Sequence, residues 1–164
     1  MNAMKPAIKV VALLTLVILG GCAKSIDPQQ LQKRAGVYYE LDAPEPYSGK
    51  AESWHANGQK KEEIIYVAGK LQGKKKSWYE NGQQRSEFNY VNGRPHGKVD
   101  IWYENGQKKE ELNYMDGVRH GKATAWYRNG QRKSETIYVA GSRDGKKTSW
   151  YEETGSKHYE EYFI

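Results

Sequence analysis

The residues best suited to chemistry in this sequence are its four histidines, two of which recur with the same neighbours. His96 and His120 lie 24 residues apart, and each is followed by Gly and Lys. Two imidazoles on neighbouring turns could share a metal ion, but zinc sites take at least about three protein ligands. No third ligand recurs with these two histidines, and His55 and His158 stand alone in the sequence. We therefore assign His96 and His120 to turn packing and predict no metal site.

Pairs of adjacent acidic residues are a second candidate for chemistry. Glu62-Glu63 and Glu110-Glu111 fall in segments that we predict to be strands, where neighbouring side chains point to opposite faces. Such carboxylates cannot work together as an acid/base pair. The sequence also has no Ser/His/Asp set or dinucleotide pattern, and its Gly-x-x-Gly turns repeat too regularly to be phosphate cradles. We predict that the protein is not an enzyme and needs no cofactor.

The sole cysteine, Cys22, is explained by its position in the chain. One cysteine excludes an intramolecular disulfide and a multi-cysteine metal site. Two lysines precede an apolar run at 10–19 that is too short to span a bilayer. The run ends in Leu19-Gly20-Gly21-Cys22, which resembles a bacterial lipobox. The resemblance implies that residues 1–21 are a signal peptide that is removed and that Cys22 carries the lipid.

A lipid on Cys22 would anchor the protein to a membrane without a transmembrane helix. If the cell has two membranes, Ala23 stands where an Asp would resemble an inner-membrane retention signal, and so indicates the outer membrane. The alternative is an ordinary cysteine that follows a transmembrane anchor. The interleaved Lys, Arg and aromatic residues resemble a nucleic-acid stacking platform, but the predicted compartment excludes nucleic acid as a partner.

The segment between Cys22 and the first repeat is irregular. Residues 22–36 are polar, and we predict that they are a tether that lifts the folded part off the membrane, with a short helical turn after Pro28. Residues 37–48 are predicted to form an N-terminal cap, with a strand at 37–40 and a turn at 43–46. An irregular terminal unit is expected for an array of repeats.

Five evenly spaced tryptophans organise the remainder of the chain. They are all of its tryptophans, and they recur every 24 residues: Trp54, Trp78, Trp102, Trp126 and Trp150. A period of this length indicates a repeat architecture. Since 37% of the residues are hydrophobic and only 2 are Phe, apolar burial must depend on the 13 Tyr and 5 Trp. We predict five repeats, at 49–72, 73–96, 97–120, 121–144 and 145–164.

Two glycine-containing turns divide each repeat into a pair of strands. The first turn is Asn-Gly, at 57–58, 81–82, 105–106 and 129–130, and Asn-Gly favours the positive φ angles of a type I′ hairpin turn. The second turn is marked by Gly69, Gly93, Gly117 and Gly141. The predicted fold is therefore all-β: an elongated, single-layer antiparallel meander of five hairpins. Its ten strands would extend over roughly 45 to 50 Å.

The length of the Asn-Gly loop determines which side chains share a face. A two-residue loop places Trp54 opposite Lys61 and Glu52 opposite Glu63. The Trp face then carries the five tryptophans with cations between the indoles, namely Lys61, Arg85, Lys109 and Lys133. The Tyr face carries Tyr79, Tyr103, Tyr127 and Tyr151 with Ile64, Phe88, Leu112, Tyr66, Tyr90 and Tyr114. A bulge at the turn would shift the second strand by one residue and exchange these partners.

The repeat resembles a known family. The motif Gly-Lys-x-x-x-Trp-Tyr-x-Asn-Gly-Gln, followed by Glu, Tyr and Gly-Lys-x-x-Gly as in 69–73, is similar to the variant MORN repeat of bacterial proteins often labelled YwqK-family antitoxins. The resemblance covers residues 47–164. It implies an elongated β array used for protein association and, in some proposals, for contact with anionic lipid. The antitoxin label would imply that the protein neutralises a partner toxin.

Three kinds of function remain after these arguments. The first is a membrane-anchored protein-interaction module, with the five tryptophans either as its interaction face or as a self-supporting cation–π ladder. The second is an immunity protein for a toxin, and the third is a module that binds cell-wall glycan or anionic lipid. The net charge of +6 does not decide between them, because removal of residues 1–21 also removes two lysines.

Overall fold

The computed structural model describes residues 25–164, so Cys22 and the predicted signal peptide lie outside the described residues. Within this range the chain contains a 3₁₀ helix, Pro28–Gln30, and fifteen strands. The first seven strands are β1 (Leu31–Arg34), β2 (Val37–Glu40), β3 (Gly49–Trp54), β4 (Lys60–Val67), β5 (Lys70–Leu71), β6 (Gly73–Trp78) and β7 (Gln84–Val91). The others are β8 (Arg94–Pro95), β9 (Gly97–Trp102), β10 (Lys108–Met115), β11 (Val118–Arg119), β12 (Gly121–Trp126), β13 (Arg132–Val139), β14 (Ser142–Trp150) and β15 (Lys157–Phe163).

Ten of the strands in residues 25–164 form one continuous antiparallel meander. Its order is β3-β4-β6-β7-β9-β10-β12-β13-β14-β15, and the two-residue strands β5, β8 and β11 pair with β4, β7 and β10. Strands β1 and β2 form a separate hairpin. The prediction of an all-β meander of hairpins is confirmed. Strand β14 runs without a break across the predicted boundary between the fourth and fifth repeats at 144/145.

The Asn-Gly turns differ from the prediction. Gly58, Gly82, Gly106 and Gly130 have φ between +82° and +87°, whereas the asparagine before each of them does not have a positive φ. In the first hairpin the Gly58 N–H donates to the His55 carbonyl at 2.9 Å, and the His55 N–H donates to the Gln59 carbonyl at 2.8 Å. This is a three-residue loop in which the glycine forms a bulge. The prediction of a type I′ turn at Asn-Gly was therefore wrong.

The second turn of each repeat has the geometry that we assigned to the first. Ala68 and Gly69 have φ of +47° and +70°, and Val67 pairs with Lys70 across them. Asn92-Gly93, Asp116-Gly117 and Ala140-Gly141 also have two positive φ angles. Two positive φ angles in a two-residue loop are the requirement for a type I′ turn. The sequence analysis assigned no turn type to these positions.

The N-terminal segment is part of the folded body and is not a free tether. Ile26 forms a parallel bridge with Ala51, in which the Ile26 N–H donates to the Lys50 carbonyl at 3.0 Å and the Glu52 N–H donates to the Ile26 carbonyl at 2.8 Å. Leu31 packs against the buried residues of the first repeat. Ile26 thus pairs with the free edge of β3, and residues 31–34 pair with β2, which corrects the prediction of a polar tether through residue 36.

Two apolar clusters lie on the Tyr face and are separated along the sheet. The first comprises Tyr47, Ala51, Ile64 and Tyr66, in the cap and the first hairpin. The second comprises Val99, Leu112 and Ala123, in the third and fourth hairpins. The second hairpin, formed by β6 and β7, contains no fully buried residue. The apolar core is therefore interrupted at the second repeat.

Candidate interaction surfaces

A β-bulge in each hairpin determines what lies between the tryptophans. It places Trp54 opposite Lys60 and Trp102 opposite Lys108. The Lys60 ammonium lies 5.7 Å from the ring centroid of Trp78, and that of Lys108 lies 6.0 Å and 5.9 Å from Trp102 and Trp126. The ladder that we expected is present only in part: its cations come from one position earlier in the strand, and the second hairpin has the uncharged Gln84 at that position, opposite Trp78.

The cations assigned to the Trp face in the sequence analysis lie on the Tyr face instead. Arg85 lies over the Tyr79 ring, Lys109 over Tyr103 and Lys133 over Tyr127, at 5.9, 5.7 and 5.4 Å from the ring centroids. Lys61 is the corresponding residue of the first hairpin, which the register skips between Lys60 and Glu62. The three-residue loop places Trp54 opposite Lys60, and the bulge at Lys61 then restores the pairing of Ser53 with Glu62, so the bulged side chain lies on the opposite face from Lys60. The predicted pairing of Glu52 with Glu63 is confirmed.

The middle of the Trp face is a band of ion pairs. The Lys50 and Lys60 ammonium groups each lie 2.7 Å from the Glu52 carboxylate. Lys98 and Lys108 contact Asp100 and Glu111 in the same way in the third hairpin. Hydrogen bonds from Lys50 and Lys60 lower the pKa of Glu52 to about 2, although Glu52 is only 8% exposed. The charges of this band are therefore neutralised within the sheet.

This lowered pKa predicts a loss of stability in acid. A carboxyl group whose pKa is lowered by folding contributes its stability above its unfolded pKa and loses it as the pH falls through its folded pKa. We expect the free energy of unfolding to fall between about pH 4.5 and pH 2, and Glu52→Gln to flatten this part of the profile. Urea denaturation across this pH range measures the effect, with the exposed Glu104→Gln as the matched control. Parallel profiles for the natural protein and Glu52→Gln would contradict the assignment.

Side-chain hydrogen bonds join successive hairpins at the Asn-Gly end of the sheet. The Tyr79, Tyr103 and Tyr127 hydroxyls donate to the carbonyls of the tryptophans 23 residues later, at 2.8, 2.9 and 2.9 Å. His55 Nε2 lies 2.9 Å from the Trp78 carbonyl. These contacts hold the backbone at four of the five tryptophans, all except Trp54. The sequence analysis missed them, although the recurrence of Tyr after the last four tryptophans was the available signal.

The asparagines of the turns bridge the hairpins in the same direction. Asn105 Nδ2 donates to the Arg128 carbonyl at 2.9 Å, and its Oδ1 accepts from the Gln107 N–H at 3.1 Å. Asn57 and Asn81 make the equivalent pairs of hydrogen bonds. Both ends of the asparagine amide are therefore used. This explains why asparagine recurs at these positions although its φ is not positive.

The repeat geometry agrees with a comparison against protein families. A profile described as MORN repeat variant matches residues 47–68, 71–92, 95–116 and 119–140. These four segments cover more than half of the chain. The chain belongs to the MORN repeat variant family. Each matched segment begins two residues before the first strand of a hairpin, and the fifth hairpin, β14 with β15, lies outside the matched segments.

Comparisons with individual proteins add little to the family assignment. The comparison with curated proteins gave no significant match. Among solved structures, the MORN-variant chain is similar to one in the Glycosylation Associate Protein (Gap123) complex from Streptococcus agalactiae, with 15% identity and a TM-score of 0.36. The match covers 80% of this chain and 22% of that chain.

Exposed apolar side chains form a second column on the Trp face of this MORN-variant sheet. Val67, Val91, Met115 and Val139 precede the type I′ turns, and they are between 37% and 50% exposed. Each follows a tyrosine of the Tyr face and so points to the opposite side. Val118 pairs with Met115 and adds to the column. The Trp face thus presents apolar groups at both ends of its strands, with Trp54 the most exposed of the five tryptophans at 51%.

The Tyr face carries a cavity where the core is interrupted. Its volume is about 560 Å³, and its lining residues come from the first three hairpins. They include the cations Lys75, Arg85 and Lys109, the hydroxyls of Ser77 and Ser86, and the rings of Tyr79, Phe88 and Tyr90. The sequence analysis missed this site because its residues come from three repeats and only the fold brings them together.

Two further observations apply to residues 25–164. No group of three or more His, Cys, Asp and Glu side chains in this range is arranged to hold a metal ion. No helix in the same range is long and apolar enough to cross a bilayer.

Proposed function

We propose that the protein is a lipoprotein of the cell envelope whose MORN-variant sheet acts as a non-catalytic protein-interaction module. The observation that supports this proposal most directly is the Trp face, where exposed apolar residues recur in every repeat. Exposed apolar patches on soluble domains commonly mark interaction sites. Aromatic residues and methionine are also enriched where proteins bind one another. The partner would contact the Trp face and the column of Val67, Val91, Met115 and Val139.

Site-specific crosslinking tests the proposed interaction face. A photoreactive amino acid at Met115 should give one adduct of defined mass in the cell envelope, whereas the same group at Lys109, on the Tyr face, should not. Met115→Lys should remove the adduct formed from a photoreactive group at Val91. If no adduct forms from the Trp face under any growth condition, the interaction module must be abandoned.

The lipid anchor predicts a result of its own for Cys22. Cys22→Ser should block lipid attachment and leave the chain as an unprocessed precursor, because the thiol is the group that becomes acylated. Mass spectrometry of the N-terminus and membrane fractionation measure the outcome, with Ala23→Ser as the control at the neighbouring position. Unchanged processing and fractionation of Cys22→Ser would contradict the anchor, and the outer-membrane location would lose its support.

A toxin is the alternative partner, since variant MORN repeats often carry the antitoxin label. The discriminating observation is a neighbouring reading frame that encodes a toxin. Co-expression of the two proteins should then restore growth, and Met115→Lys should abolish the protection if the toxin binds the Trp face. Without such protection the antitoxin function has no basis.

A further inference from the structure

The cavity on the Tyr face differs from the rest of the sheet in composition. Lys75 stands where the first, third and fourth hairpins have Ala51, Val99 and Ala123, all of which are buried. Ser77 stands where the third and fourth hairpins have Ile101 and Ala125. Polar residues at core positions do not contribute the stability that buried apolar residues provide. The first hairpin has Ser53 at the position of Ser77, and the fifth hairpin has Lys147 and Ser149 at both positions. What distinguishes the second hairpin from its two neighbours is therefore Lys75, a charged residue at a position that is buried and apolar in the first and third hairpins.

The charge of the cavity is predominantly positive. Lys75 is paired with the Glu62 carboxylate at 2.7 Å. Arg85 and Lys109 make no ion pair within residues 25–164, and each lies over a tyrosine ring. They occupy the same register position in consecutive hairpins, about two strand spacings or roughly 10 Å apart. Two cations without carboxylate partners thus face one cavity and can bind an anionic group.

The polar groups on the wall of the cavity also have unused hydrogen-bonding capacity. Ser77 and Ser86 are cross-strand partners, and their hydroxyl oxygens lie 2.7 Å apart. One of the two hydroxyls donates to the other, so one O–H donor is left for a ligand. The rings of Phe88 and Tyr90 line the same cavity, with centroids 6.2 Å apart. Such rings can pack against the C–H groups of a flat, polar molecule.

We propose that this cavity binds an acidic saccharide. The sugar ring would pack on the aromatic side chains, its hydroxyls would bond to Ser77 and Ser86, and its carboxylate or phosphate would contact Arg85 and Lys109. The position of the cavity also favours a saccharide over a peptide strand, because strands add to the edge of a sheet and the cavity lies in mid-sheet. The site is on the opposite face from the proposed protein-interaction surface and is independent of it.

Isothermal titration of the purified full-length protein tests the proposal with four probes. They are trigalacturonate, a phosphorylated maltotriose, neutral maltotriose and hexaglutamate. We expect one or both acidic saccharides to bind at least about tenfold more tightly than maltotriose, since hydrogen bonds to charged groups are worth at least this factor. We also expect them to bind more tightly than hexaglutamate, which is anionic but has no sugar ring to pack on the aromatic side chains. Binding of only one acidic saccharide identifies the anion. Equal binding of maltotriose or hexaglutamate, or no binding of either acidic saccharide, overturns the proposal.

Matched substitutions locate the binding site on the sheet. Lys109→Gln and Arg85→Gln should each weaken binding about tenfold, whereas Lys133→Gln, at the equivalent position one hairpin beyond the cavity, should not. Ser77→Ile introduces the residue that the third repeat has at this position. It should fill the cavity and abolish binding while the urea denaturation midpoint is retained. Equal effects of Lys133→Gln and Lys109→Gln, or full binding by Ser77→Ile, would place the ligand elsewhere.

Discussion

Gly69→Ala is expected to destabilise the protein by about 2 to 5 kcal/mol, of which about 1–2 comes from the left-handed backbone and about 1–3 from overpacking. Gly69 has a φ of +70°, and a Cβ at this position would meet Val37 Cγ1 and would lie 2.6 Å from the Tyr38 carbonyl oxygen. The Gly69 N–H donates to the Tyr47 carbonyl, and its own carbonyl accepts from the Tyr38 N–H, at 2.7 and 2.8 Å. The glycine is therefore enclosed by the N-terminal cap.

Gly58→Ala is the matched control for this prediction. Gly58 has a φ of +83°, but a Cβ there would meet no atom within 4 Å. Only the cost of the left-handed backbone applies, so we expect the free energy of unfolding to fall by about 1 to 2 kcal/mol. Urea denaturation of both variants followed by tryptophan fluorescence measures the difference. Equal losses would show that the cap does not pack on this turn as the structure describes.

Leu112→Ala is expected to reduce the free energy of unfolding by about 2 to 5 kcal/mol, the range found for buried leucines. Leu112 is 7% exposed and packs in the second apolar cluster with Val99, whose side chain is fully buried. A single-layer sheet has few such residues, so the surrounding side chains cannot easily close the gap. The loss should be close to the upper end of the range if Phe88 and Tyr114, which flank the cluster, do not move.

The exposed Leu41 provides the comparison for the core substitution. It is 57% exposed, and Leu41→Ala should change stability by less than about 0.5 kcal/mol. Urea denaturation of both variants under the same conditions separates burial from the chemistry of the leucine side chain. A small effect of Leu112→Ala would mean that the apolar cluster contributes little and that the hydrogen bonds between hairpins stabilise the sheet.

The period of the tryptophans was enough to predict the architecture. Regular spacing of Trp and Gly gives the hairpins, their order and the two faces, since the side chains of a strand alternate. Details at the turns could not be predicted in the same way. Asn57 was assigned to a turn type by its backbone preference, whereas the structure uses both ends of its side-chain amide. The resulting bulge decides whether Lys60 or Lys61 lies beside the indoles, and a one-residue shift changes the face.

The cap and the cavity were harder to predict because neither repeats. Residues 25–36 have no period, and their place in the fold depends on the pairing of Ile26 with a strand that follows much later in the chain. The cavity depends on where side chains from neighbouring hairpins meet. Lys75 and Ser77 are conspicuous in the sequence only when the copies are aligned and the buried positions are known. The differences between copies can therefore be interpreted once the structure shows which positions are buried.

The bridge between Ile26 and Ala51 has a geometric consequence if Cys22 carries a lipid. Ser25 is the third residue after Cys22, a reach of at most about 11 Å. The capped end of the sheet would then be held beside the bilayer, and β15 would lie at the far end of the meander. Each successive repeat would then lie farther from the membrane. Equivalent positions such as Lys61 and Lys133 would be presented at different depths of the envelope.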